Sequence, residues 1–163
     1  MKESIGGTQI FLIVVTLVLL FTGIMAFTIN RSNAFAVKDQ LVSIIESANG
    51  FDMSAEIVPG TSITDDTLEK VVEALNHNSY RQKGNCPSAV SGTEVASFQR
   101  NGSRTIGTNA ASFCIVRVNA GNMAPGTASG YYYQIIVFYT LDLPVIKEIF
   151  NFKAVGETKA LYS

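Results

Sequence analysis

Charge is missing from the opening of this chain: between Glu3 and Arg31 there is no charged residue, and the stretch "IFLIVVTLVLLFTGIMAF" is almost wholly apolar. A core helix of a small soluble domain needs a polar face towards water, and this stretch offers none. Other shortages narrow the function. With 12 basic against 13 acidic residues and a net charge of -1, no cationic excess exists to neutralise phosphates, which excludes a general nucleic-acid binder. His77 is the only histidine, and no local cluster of His, Cys and carboxylates has metal-ligand spacing. No cofactor and no enzymatic activity is therefore expected. Neither an internal repeat nor a linker divides the chain, and 163 residues suit one membrane segment and one modest domain.

The uncharged run from Ser4 through Asn30 reaches roughly 40 Å as a helix, enough to cross the ~30 Å hydrocarbon core. A cleaved export signal has an apolar region of about 7–15 residues before its small-residue site. Gly23, Ala26 and Thr28 supply small residues in "FTGIMAFTINR", but the run is too long, so a retained single-pass anchor in the cell membrane is expected. Lys2 and the amino terminus on one side nearly balance Arg31 and Lys38 on the other, so charge alone does not orient it. Cys86 and Cys114 lie beyond the anchor and suit an oxidising compartment, which favours an extracytoplasmic domain.

Residues 1–30 are thus read as an N-terminal segment and transmembrane helix, and 31–163 as the extracytoplasmic domain. The helix is expected to continue through 31–48, since Ala34, Val37, Leu41, Ile44, Ile45 and Ala48 recur at helical spacing with Lys38, Asp39 and Glu46 off that stripe. Asn49-Gly50 is its stop. In "TDDTLEKVVEALNHN" a second helix is expected, with Asp66 and Glu69 as a capping box and Leu68, Val71, Val72 and Leu75 as the face that packs on a sheet. The Gly/Ser/Asn-rich middle is read as loop with a short strand at "EVASFQR". Alternation then gives stronger strands: Cys114, Val116 and Val118 oppose Phe113, Ile115 and Arg117, and Tyr131, Tyr133, Ile135, Val137 and Tyr139 share a face. "DLPVIKE" turns, because Pro144 cannot join a central ladder, and "IFNFKAVGETKALY" closes the sheet with Gly156 as a bulge or kink. The fold class is α+β: a long helix, a second helix and an antiparallel sheet of three to five strands. The tyrosines serve packing or mark a binding surface.

Two readings of the cysteines remain. A Cys86–Cys114 disulfide would fasten the loop to a strand and contribute roughly 3.5 kcal/mol; a Cys–His pair with His77 would be a thiol site. Asp65-Asp66 belongs to a helix start rather than an acid/base dyad, and "NGS" at Asn101 fits the short N-glycosylation pattern.

The glycines before the apolar helix ("GGTQIFLIVVTLVLLFTGIMAF"), the helix continuing into "NAFAVKDQLVSIIE" and the terminal "YYQIIVFYTLDLPVIKEIFNFKAVGETKAL" together resemble TadE-like minor pilins and pseudopilins of type IV pilus-like machines. That resemblance implies a leader ending at Gly6 or Gly7, where a prepilin peptidase would cut. Gln9 stands nearest the family's glutamate, and a neutral amide cannot pair electrostatically with a neighbour's amino terminus. It also implies partners: the bilayer and other pilin-like or secretion-apparatus subunits. Thr8, Thr16, Thr22, Gly23 and Ala26 would permit close helix approach, with Gly23 and Ala26 the packing positions. The rival reading is a membrane-tethered extracellular ligand-binding or sensory domain.

Overall fold

The computed structural model describes residues 2–57, 65–78, 83–105, 111–119, 130–140 and 151–162, with the side chains of 2–6, 140, 151 and 162 left aside. The loop about "VPGTS" and the Pro144 turn lie outside the described residues.

Helix α1 runs unbroken over Lys2–Ser47, 46 residues and about 70 Å. Its carboxyl end closes as the Asn49-Gly50 pair requires. Asn49 takes a left-handed φ of 55° and donates its N–H to the Glu46 carbonyl at 3.1 Å, while Gly50, at φ 141°, donates to the Ile45 carbonyl at 3.1 Å. These two bonds satisfy carbonyls that the last turn leaves open. In its second half Ala34, Val37, Leu41 and Ile45 are fully buried, whereas Ile44 is half-buried and Ala48 exposed. Each large aliphatic on that stripe contributes ~1.5–3 kcal/mol by leaving water.

Helix α2 spans Asp66–His77. Its cap is Asp65, one residue earlier than the sequence pattern indicates: the Asp65 carboxylate accepts the Thr67 N–H at 2.8 Å. Asp66 then falls in the first turn and pairs with Lys70 one turn on. Leu68, Val71, Ala74 and Leu75 are buried, with Val72 half-buried. The helix comes closest to α1 rather than to a strand, and Asn78 Nδ2 donates to Gln40 Oε1 of α1 at 3.0 Å. Its buried face joins the core on the inner side of the sheet, with Phe98, Phe113 and Ile115, so the expected packing towards the sheet holds, with α1 lying alongside.

The sheet is antiparallel, with β1 (Thr93–Phe98), β2 (Phe113–Asn119), β3 (Gly130–Thr140) and β4 (Asn151–Glu157) in that spatial order, and β5 (Leu161–Tyr162) pairing β3 beyond the end of β4. Strand alternation divides it cleanly. Phe98, Phe113, Ile115, Tyr133, Ile135, Val137 and Tyr139 meet the helices. Cys114, Val116, Ile136 and Phe138 face the other way, under a loop that carries Cys86.

Gly156 is no bulge. It pairs regularly with Ile135, and a Cβ there would lie 2.9 Å from both Lys38 Cδ and Val42 Cγ2, so its role is to let α1 cross β4 closely. The irregularity comes later. Gln134 pairs with Glu157 but Tyr131 with Leu161, which inserts one extra residue between β4 and β5. At that step the Tyr133 N–H donates to Thr158 Oγ1 at 2.9 Å in place of a ladder carbonyl.

Candidate functional site

From Gly7 to Ala26 the first half of α1 stands clear of the domain. Its large side chains, Ile10 through Met25, are exposed, and the helix is long and apolar enough to cross a membrane. The hydroxyls of Thr16, Thr22 and Thr28 are all engaged within the helix. Thr16 donates to the Leu12 carbonyl at 2.8 Å, Thr22 to Val18 and Leu19 at 3.0 Å, and Thr28 to Ile24 at 2.9 Å. Back-bonding of this kind hides a hydroxyl that lipid cannot satisfy. Gly6 and Gly7 are both within the helix, and nothing approaches within 4 Å of a Cβ built on Gly7. Gln9 is exposed on a face shared with Leu12, Ile13 and Thr16.

Gly23 and Ala26 are half-buried. At 100° per residue Gly23 falls on the helical line of Phe27, Ala34 and Leu41, the side that carries this chain's own domain, with Ala26 at its edge. Phe27 is the first large residue of α1 to pack on the sheet. Its ring lies 5.5 Å from Phe152 and 6.3 Å from Tyr139, which stack on each other at 5.3 Å. One turn further, the Arg31 guanidinium sits 5.5 Å from the Phe35 ring centroid, with the Lys38 ammonium 5.1 Å from the same ring. This aromatic junction escapes sequence reasoning, because Phe27 reads as the tail of a membrane run and Tyr139 and Phe152 as ordinary strand residues.

Cys86 and Cys114 form a disulfide with Cα atoms 5.8 Å apart, and neither sulfur is a free thiol, so the Cys–His alternative falls. Cys114 is fully buried on β2 and Cys86 nearly so. Beside the bridge Gly84 pairs with Ala111, and a Cβ on Gly84 would come within 2.3 Å of the Phe138 ring. Loop and sheet are thus in direct contact. His77 is an exposed residue of the last turn of α2. Asn101 is exposed at the turn after β1, where its Oδ1 accepts the Ser103 N–H at 3.1 Å.

The tyrosines pack. Tyr133 is buried and donates its hydroxyl to the Phe51 carbonyl at 2.9 Å, fixing the chain just after α1, and Tyr131 meets Tyr133 edge-on at 5.7 Å. At the sheet end farthest from Phe27, a cleft of about 420 Å³ is lined by Thr93, Glu94, Arg117, Asn119 and Tyr131. Within it Arg117 donates to Glu94 at 2.8 Å and lies 5.9 Å from the Tyr131 ring centroid. Just beyond α1, the hydroxyl and then the backbone N–H of Ser54 donate to Asp52 and hold its carboxyl below the usual carboxylate range, with Arg104 adding to the effect.

Comparison with known family models, with curated proteins and with solved structures finds no match to this chain.

Proposed function

We propose that this chain is a membrane-anchored, non-enzymatic subunit of a pilus or secretion apparatus, of the minor pilin or pseudopilin kind, with its α+β domain on the outer side of the membrane. One observation carries the reading: a single rigid helix is bare over its first half and clasped by an antiparallel sheet over its second. A helix of that construction can rest in lipid and later pack against equivalent helices without rearranging the domain it bears, since van der Waals fit rather than hydrophobicity selects helix partners in lipid.

The test is exchange of the helix. Replacing residues 7–26 with polyleucine keeps length and hydrophobicity, so insertion and the folded domain are retained while co-purification with apparatus subunits is lost; unchanged assembly would reduce the segment to a tether. Thr16→Leu, on the exposed face shared with Gln9 and Leu12, probes the same point at one position. Mass spectrometry of the mature amino terminus reports processing: a start at Gly7 or Thr8 marks leader cleavage, and an uncut chain follows from the missing glutamate at Gln9. Orientation is read by an impermeant thiol reagent on Val90→Cys, a site 69% exposed. Labelling of intact cells is expected, and labelling only after lysis reverses the topology.

The cleft at Arg117 favours a second reading, a tethered ligand-binding domain, because its volume suits a small molecule. Its guanidinium is already engaged by Glu94, so a ligand would compete with an internal partner. Arg117→Ala should leave apparatus assembly intact under the first reading and abolish signalling or capture under the second.

A further inference from the structure

Length alone does not place this helix in a bilayer. The uncharged run is roughly 40 Å long and the hydrocarbon core ~30 Å thick, so the helix could slide by about 10 Å or tilt to match. The domain removes that freedom. Packing on the sheet begins at Phe27, and the open edge of a sheet, with its unpaired backbone groups, cannot enter hydrocarbon. Counted from Ser4, the first residue of the uncharged run, the stretch up to Ala26 is about 35 Å long, enough to cover the core with little to spare.

The junction itself has the chemistry of a headgroup layer. Phe27 and Phe152, both half-buried and packed about the buried Tyr139 ring, set aromatic rings at the level where such rings concentrate at membrane surfaces. Arg31 lies about 6 Å further along the axis, within the ~5–8 Å that each headgroup region adds to the core. It is the first charge after Glu3 and is exposed. Its stem can run along the apolar helix while the guanidinium reaches lipid phosphate.

We propose that the domain sits directly on the bilayer, with the Phe27–Tyr139–Phe152 cluster in the headgroup layer, Arg31 on lipid phosphates and the hydrocarbon boundary between Met25 and Arg31. The partner of the domain's base is therefore a phospholipid headgroup surface rather than water beneath a stalk. This rests on the membrane reading above, and the two fail differently.

The full chain, its native disulfide oxidised, is reconstituted in phosphatidylcholine vesicles containing phosphatidylglycerol. Nitroxides are attached in turn at Leu17→Cys, Met25→Cys, Ile29→Cys and Ala36→Cys, all exposed positions. Collision rates with oxygen, which concentrates in lipid, and with a water-soluble nickel chelate give the depth of each. Oxygen should dominate at Leu17 and Met25 and nickel at Ala36, with the crossover between Met25 and Arg31. A crossover at or beyond Ala36, or before Phe21, overturns the seating while sparing the membrane reading. Nickel dominance at Leu17 overturns both. Arg31→Glu should raise nickel collision at Ile29 by lifting the base from anionic lipid, with domain stability unchanged; an unaltered reading at Ile29 overturns the assignment of Arg31 to phosphate.

Discussion

Helix α1 joins two stretches of similar residues that meet opposite surroundings. Leu17 is 48% exposed and Leu41 not at all; Val18 is 55% exposed and Val37 buried; Ile24 is 60% exposed and Ile45 buried. The residue types do not separate them. What differs is arrangement: the first stretch is apolar on every side, while the second buries one apolar stripe and gives most of the other side to Arg31, Ser32, Asn33, Asp39 and Gln40, with Phe35 left exposed beneath Arg31 and Lys38. A stripe matches a sheet face and leaves the remainder to water. An all-round apolar surface exceeds what this domain covers and suits a solvent that surrounds it, such as lipid.

The largest effect should come from placing a carboxylate in each half. Val37→Asp puts an unpaired charge into the core and should cost more than about 4 kcal/mol, much of a typical ~5–15 kcal/mol stability. Val18→Asp should leave the domain's urea midpoint untouched but oppose insertion by ~2.5–3.5 kcal/mol, seen as protein lost from the membrane fraction. Equal destabilisation of the domain by both would break the distinction between the halves.

Next is the disulfide, which anchors the sheet's far face and leaves the bare helix alone. Replacing Cys86 and Cys114 together with serine should lower domain stability by about 3.5 kcal/mol and raise proteolysis between them, with membrane retention constant. Gly156→Val sharpens the contrast at the crossing of α1 and β4. Crowding Lys38 and Val42 should cost ~1–3 kcal/mol in the denaturation midpoint, whereas Gly7→Val meets open space and should leave that midpoint where it is.

The smallest effect concerns the turn after the packed half. The Asp52 carboxyl is held low by Ser54, so its folded pKa lies below its unfolded one. Its contribution is present above the unfolded value and is lost as pH falls through the folded value. Asp52→Asn should flatten the acid end of the stability profile slightly, since an exposed group is heavily screened.

Much of this architecture is legible residue by residue. The Ala34–Val37–Leu41–Ile45 stripe, the Asn49-Gly50 stop, and the opposed faces of β2 and β3 each follow from a short period that one segment carries by itself. The errors share a cause too. Gly156 looks like a kink because a glycine in a strand usually marks local backbone irregularity, but here the reason lies on α1, more than a hundred residues earlier. Asp65 and Asp66 are both competent caps, and the difference of one residue depends on where the chain enters the helix.

The chain's own pattern of residues specifies the long helix, its apolar all-round first half, the strands and their faces, because these follow from the order of apolar and polar residues along one segment. It also set the two cysteines apart without deciding their partners. That Cys86 reaches Cys114, that α1 crosses β3 and β4, and that packing begins at Phe27 came from the folded chain. Each of those depends on surfaces brought together from distant parts of the chain, whose fit is a property of shape and volume that no local period encodes.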